Sequence, residues 1–274
     1  MPEVETVVRQ IRPDLLGRRV ADIVLHNPKL IRCRAMPPEA LIGLTVRDVR
    51  RRGKFIRLDL APGPKAAPTV TVLIHLRMTG RLTVLCGTPP RDRHDHIDLT
   101  FKERCLLRFR DMRQFGGWWL LPAGTADSVP PLSELGPEPL EISRVEFRGL
   151  LAGRRQRIKA LLLDQRRLAG MGNIYCDEAL FAARIHPATL AARIPAAKAD
   201  ALWRHMRRIL RRSISQQGTT VENFLRPDGR PGGFQYELKI YGRGGEACTR
   251  CRAKLQRLIV AGRGTTVCPR CQKL

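Results

Sequence analysis

The chain reads as an α+β multidomain protein. A β-rich amino-terminal half follows one leading helix, a helical region comes next, and a metal-held ribbon closes the sequence. Three observations predict this. Short β-type runs punctuated by glycine and proline fill residues 19–109, helical periodicity dominates from 144 to 217, and two Cys-x2-Cys knuckles lie at the end.

Val4, Val7, Val8, Ile11 and Leu15 form one stripe of a helix over about residues 2–16. Pro2 suits its first position, where a backbone donor is not needed, and Glu3 and Glu5 suit the positive helix end. Strand-like runs follow at 19–26, 43–49, 54–60, 69–75, 81–86, 96–101 and 105–109, with Gly53, Gly63-Pro64, Gly80 and Pro89-Pro90 between them. This spacing suggests an antiparallel sandwich or barrel. Residues 122–140 are rich in Pro, Gly and Ser and read as a linker. In the helical region Leu202, Met206, Ile209 and Leu210 make an apolar stripe, with Arg204, Arg207, Arg208, Arg211 and Arg212 mostly opposite; residues 218–237 read as loop.

Lysine and arginine total 50 against 25 acids, a formal charge of +25 and a pI near 11.1. A polyanion is the natural partner, and nucleic acid is the polyanion this charge fits best. The 43% hydrophobic content, patterned as above and poor in aromatics, argues for aliphatic cores and against a purely structural basic protein. No apolar run reaches the ~20 residues of a membrane span, so none is expected. The amino terminus lacks a charged-then-apolar signal pattern, and a cytoplasmic, nucleoid-associated protein is the expectation.

The carboxy-terminal motif is Cys248-Thr-Arg-Cys251, sixteen residues, then Cys268-Pro-Arg-Cys271. Each knuckle supplies two thiolates and the segment between folds back as a hairpin, which gives one tetrahedral structural Zn2+. Two disulfides or four unrelated thiols are the alternatives, and disulfides fit poorly with a reducing compartment. Lys254, Arg257 and Arg263 lie between the knuckles, so the metal supports a basic finger. Cys33, Cys86, Cys105 and Cys176 read as core thiols.

Several segments occur together and in order: Pro2-Glu3-Val4-Glu5-Thr6, Arg52-Gly53-Lys54-Phe55, His75-Leu76-Arg77-Met78-Thr79-Gly80, His94-Asp95-His96, Arg113-Gln114-Phe115-Gly116, Leu135-Gly136-Pro137-Glu138-Pro139-Leu140, Gly172-Asn173-Ile174-Tyr175 and the cysteine knuckles. The set resembles the formamidopyrimidine-DNA glycosylase family from end to end. The resemblance implies a β-sandwich catalytic domain over 1–125, a linker over 126–140, a helix–two-turn–helix domain with a lesion-capping loop over 141–237, and a zinc-ribbon finger over 238–274. It implies a monomer that binds double-stranded DNA with oxidised or abasic sites, excises oxidised purines such as 8-oxoguanine, and cuts the strand at the abasic site.

Site residues follow from the same resemblance. Pro2, freed by removal of Met1, would be the nucleophile. Its α-amino nitrogen titrates near ~7.7–8, so a useful fraction is neutral at cellular pH, and attack on the deoxyribose C1′ gives an iminium that eases β-elimination. Glu3 would move protons at the sugar ring oxygen. Lys54 would approach the sugar and phosphate, and Arg263 would clamp the flanking phosphates and serve the second elimination. A flipped-out base leaves a gap, and Met78, Arg113 and Phe115 match the wedge that fills it. His94, Arg154, Lys159 and Asn173 would grip the backbone, Asn173 at a glycine-rich helix start suited to phosphate. Residues 218–233 resemble the loop that covers an extruded purine.

The pattern departs at the start. The family opens with two Pro-Glu pairs before Val-Glu-Thr, and this chain has one. Either Pro2 and Glu3 are the catalytic pair on a shorter helix, or they match the second pair and the catalytic pair is absent. The second case implies a catalytically weak or inactive homologue that binds damaged or single-stranded DNA. A separate alternative is an endonuclease VIII-like enzyme acting on oxidised pyrimidines, from which the Met78, Arg113 and Phe115 combination sets this chain apart by the same resemblance. Met112 also stands where a proline is usual, and Gln114 where a basic residue is common.

Overall fold

The computed structural model describes every residue except Pro64 and Thr88, so the Pro64 turn signal lies outside the described residues. The chain divides into two compact units: Pro2–Ser133 with Gln217–Gly233, and Glu134–Gln216 with Phe234–Leu274 and Met1.

The first unit begins with α1 (Pro2–Leu15), whose five predicted apolar residues are all buried. Among the described residues nine strands follow: β1 (Val20–Leu25), β2 (Ile31–Arg34), β3 (Thr45–Arg52), β4 (Phe55–Ala61), β5 (Val70–His75), β6 (Gly80–Cys86), β7 (Asp95–Phe101), β8 (Cys105–Asp111) and β9 (Gly117–Pro122). They form two sheets, ordered β1-β7-β8-β6 and β2-β9-β5-β4-β3. All pairs are antiparallel except β2 with β9. This is a sandwich, not a barrel. One hydrophobic core holds α1 together with inward residues of both sheets, among them Val46, Leu58, Val72, Leu82, Leu107, Phe109 and Trp118.

Two strands escape the sequence pattern. β2 is only four residues and alternates with arginine, while β9 is an apolar run opened by paired glycines and closed by Pro122. Cys86 also departs from expectation. It is exposed at the end of β6, and Cys33 is half-buried, whereas Cys105 and Cys176 are core thiols. The loop over 217–233, expected with the helices, belongs to the sandwich unit, where Phe224 packs against the core.

The second unit holds α2 (Arg144–Leu151), α3 (Ile158–Leu163), α4 (Asn173–Ala182), α5 (Ala196–Ser215) and the hairpin β10 (Gln256–Val260) with β11 (Arg263–Val267). Ser143 and Glu146 start α2 with a reciprocal capping box. Leu202, Met206 and Leu210 of α5 are buried as the stripe predicts. Among the described residues, no helix is long and apolar enough to cross a membrane.

Candidate active site and nucleic-acid interface

In the sandwich unit Pro2 opens α1, and its carbonyl accepts the Thr6 hydroxyl at 3.0 Å. Glu3 Oε1 accepts the Thr219 N–H at 3.4 Å, which brings the first turn of α1 to the base of the 217–233 loop. Gly218 has a φ of +87°, and a Cβ there would stand 2.9 Å from the Phe224 ring and 3.4 Å from Glu3 Cα. Both the backbone conformation and the close approach need glycine. Thr220 then ties the loop, donating to Phe224 O at 2.8 Å and accepting from Gly232 N–H at 2.9 Å.

Glu5 sits between two guanidiniums, with Arg9 Nε at 2.8 Å and Arg51 Nε at 3.0 Å. Burial acts to raise its pKa, but the two arginines outweigh it and hold the carboxyl below its ordinary value. Arg51 also donates to Gly53 O at 3.1 Å, so α1 is tethered to the turn that carries Lys54. That turn has two central residues between the paired Arg52 and Phe55, with Gly53 at φ +58° in the first position, as a type II′ hairpin requires. His75 lies close by, its ring 4.7 Å from Phe55. Burial, then the charges of Arg77 and Lys54, push its pKa down to about 3, so the imidazole is neutral at pH 7.

Met78 and Phe115 are 57% and 62% exposed, so neither is a core residue. The Arg113 guanidinium lies 5.6 Å from the Phe115 ring centroid. Both segments are held by Asp111, which is closed to solvent. Its carboxylate accepts the Thr79 hydroxyl on one oxygen and the Gly116 N–H, at 2.8 Å, on the other. Thr79 in turn accepts the Arg113 N–H at 3.2 Å, and the Asp111 N–H donates to His94 O at 3.0 Å. A Cβ on Gly116 would meet His75 O at 2.7 Å, so the loop passes too close for any side chain. Asp111 thus ties together the backbone segments that carry Met78, Arg113, Phe115 and His94. Sequence reasoning missed Asp111, because its partners lie up to 32 residues away and leave no local pattern.

In the second unit Arg154 is exposed after α2, and Arg263 is exposed on the finger hairpin. Ala261 and Gly262 connect β10 to β11 with φ of +54° and +66°, the two positive values of a type I′ turn. Asn173, the first residue of α4, donates to Gly264 O at 3.0 Å. Lys159 differs from expectation. Its ammonium is fully buried and donates to Asp177 at 2.6 Å, Thr265 Oγ1 at 2.7 Å and Gly264 O at 3.2 Å. With its donors turned onto the finger, it has no surface to offer a phosphate. Burial pushes Asp177 up to about 6, against the pull of Lys159.

Helix α4 is also the post for the rest of the finger. Glu178, a second missed residue, accepts the N–H groups of Lys239, Ile240 and Tyr241 at 2.9–3.1 Å. Arg250 donates to Phe181 O at 2.8 Å at the carbonyl end of α4, where a cation is favoured, and stacks 4.6 Å over the Phe181 ring. The four sulfurs of Cys248, Cys251, Cys268 and Cys271 lie within 4.8 Å of one another. That spacing suits thiolates at about 2.3 Å from one tetrahedral Zn2+.

The family model for the formamidopyrimidine-DNA glycosylase N-terminal domain matches residues 1–118, that for its H2TH domain 135–224, and that for the zinc finger found in FPG and IleRS 245–274. The chain belongs to the formamidopyrimidine-DNA glycosylase family. The family's protein from Shewanella halifaxensis is 41% identical over 281 residues, covering 100% of this chain and 99% of its own, and that of Pelotomaculum thermopropionicum is 40% identical over 278 residues with the same coverage. Among solved structures, the Lactococcus lactis protein bound to DNA containing Fapy-dG superposes with a TM-score of 0.90 at 32% identity. The same species' protein bound to abasic-site DNA also gives 0.90 at 32%, and each match covers 100% of this chain and 99% of the other. The cysteine set is the family's zinc finger and holds one structural zinc.

Proposed function

We propose that the protein excises oxidised purines, 8-oxoguanine and formamidopyrimidines, from duplex DNA and cleaves the strand at the resulting abasic site, a bifunctional glycosylase and AP lyase of base-excision repair acting at the nucleoid. The single observation that carries this is the ordered, nearly end-to-end match to the three domain models of the family. The named relatives are formamidopyrimidine-DNA glycosylases, and the solved ones include complexes with Fapy-dG, carbocyclic 8-oxo-G and abasic DNA.

In this reading Pro2, freed of Met1, attacks C1′ of the flipped-out nucleotide; the base leaves and an iminium forms. Glu3 carries protons at the ring oxygen, and its place beside Thr219 supports a role next to the 217–233 loop. Lys54 assists β-elimination beside a neutral His75, which offers no competing positive charge. Met78, Arg113 and Phe115 fill the vacated stack, consistent with the exposure of both apolar members. His94, Arg154 and Asn173 hold phosphates, and Arg263 on the finger serves the second elimination.

A second reading rests on one observation. Pro2 is already inside the first turn of α1, with its carbonyl engaged by Thr6. If that turn is the family's second Pro-Glu pair, the protein is a DNA-binding homologue without chemistry, and catalysis sensitive to misplacement of ~1 Å would be lost. Borohydride trapping on an 8-oxoguanine duplex separates the two, with the intact mass reporting whether Met1 is retained. A covalent adduct abolished by Pro2→Gly supports the glycosylase; salt-sensitive binding without adduct or abasic cleavage supports the second. Faster release of thymine glycol than of 8-oxoguanine would instead indicate pyrimidine specificity.

A further inference from the structure

The exposed thiol of Cys86 has a neighbour. Strands β6 and β8 run antiparallel with Cys86 directly opposite Cys105. The Gly87 N–H donates to Arg104 O at 2.8 Å, which makes residues 87 and 104 a hydrogen-bonded pair. The two pair types alternate along an antiparallel ladder, so Cys86 and Cys105 form a non-hydrogen-bonded pair, whose α-carbons stand about 4.5 Å apart with side chains on the same face. A disulfide needs roughly 4.4–6.8 Å between α-carbons. Cys105 is 2% exposed at the margin of the sandwich core, and Cys86 lies at the open end of the strand. The two thiols therefore share one face at the rim of the sheet, one accessible and one sheltered.

We propose that Cys86 and Cys105 are a peroxide-sensitive pair that closes to a cross-strand disulfide. Hydrogen peroxide oxidises the Cys86 thiol to a sulfenic acid and is reduced to water. The Cys105 sulfur then attacks the sulfenic sulfur, the S–S bond forms, and the hydroxyl leaves as water with the Cys105 proton. Two thiols and one peroxide thus give one disulfide and two waters. Cys86 is exposed and meets the oxidant first; burial, with Cys86, Asp14 and Glu103 against Arg18, raises the Cys105 pKa, so Cys105 gives up its proton to the departing hydroxyl as its sulfur attacks. A reducing cytoplasm keeps the pair open until oxidant rises. Closure ties off residues 87–104, the segment that carries β7 and His94. None of this thiol chemistry depends on the glycosylase reaction.

The test uses the full, zinc-loaded chain, treated with hydrogen peroxide, blocked with an alkylating agent and digested with trypsin without reduction. The expected product is a cross-link between peptides 82–91 and 105–108, reversed by dithiothreitol and absent in Cys86→Ser, whose changed residue is exposed and should leave folding intact. Zinc retention, measured on the same sample, separates this event from oxidation of the finger. A higher melting temperature for oxidised wild type than for oxidised Cys86→Ser would accompany the bond. Cys86 recovered as a sulfinic acid or a mixed disulfide, with Cys105 still alkylated, would overturn the proposal.

Discussion

The Lys159 ammonium stands 2.6 Å from the Asp177 carboxylate, and both side chains are closed to solvent. Lys159 also donates to Thr265 and Gly264, and the Thr266 N–H donates to Asp177 at 3.4 Å. One ion pair between α3 and α4 therefore grips the strand that begins at Arg263. A buried pair adds little net stability, but removing one partner leaves an uncompensated charge, at a cost of about 3–5 kcal/mol. Lys159→Met should lower the urea midpoint strongly, and Lys159→Met with Asp177→Leu should recover most of the loss. A single variant as stable as wild type would show that the pair is not closed in solution.

Asp111 should matter in the same way to the wedge. Asp111→Ala leaves the Thr79 hydroxyl and the Gly116 N–H without their acceptor, at roughly 1–3 kcal/mol for each unsatisfied group. The loops bearing Met78 and Phe115 then loosen. Excision of 8-oxoguanine from an intact duplex should fall by about tenfold or more, in line with that energy. Cleavage of a preformed abasic site, which has no base to extrude, should fall less. Equal losses in the two assays would place Asp111 in general stability instead.

His75 predicts a pH dependence with a definite sign. Its pKa falls from 6.5 to about 3 on folding, because burial disfavours the imidazolium before Arg77 and Lys54 add their repulsion. Below pH 6.5 the unfolded chain takes up a proton that the folded chain refuses, so stability is full above that value and declines as pH falls toward 3, by up to roughly 4 kcal/mol. His75 Nδ1 accepts the Arg77 N–H at 2.9 Å; His75→Asn retains an acceptor there but cannot titrate, and its unfolding midpoint should be flatter over this window. The comparison is made by denaturant titration at pH 7, 5 and 4.

What the sequence made legible follows from range. The α1 stripe and the cysteine knuckles are local patterns, and both appear in the structure because burial and coordination act through those same spacings. Met78 and Phe115 are apolar types that usually pack in cores, and only their match to the family's wedge pointed to the exposed places they occupy. Asp111, Glu178 and the burial of Lys159 could not be read at all. Asp111 meets Thr79, Glu178 meets Ile240, and Lys159 meets Asp177 and Thr265 across 18 to 106 residues, brought together by packing that no local periodicity encodes. Cys86 failed for the opposite reason: its apolar neighbours belong to a strand that ends in solvent.

The zinc finger should be the most labile part of the molecule once the metal is removed. Hairpin β10–β11 has two five-residue strands, and a two-stranded hairpin is marginal alone. Its hydrophobic cluster is small, Phe181, Ile240, Leu255 and the buried knuckle cysteines, so the metal supplies the missing cohesion. Chelation should unfold the finger, releasing Arg263 and the Gly264 and Thr265 partners of Lys159, while the sandwich keeps its own core. Far-ultraviolet circular dichroism should retain most of its β signal as DNA affinity is lost, and stoichiometric Zn2+ should restore binding. Undiminished affinity in the fully metal-free protein would mean that the finger adds nothing to DNA binding.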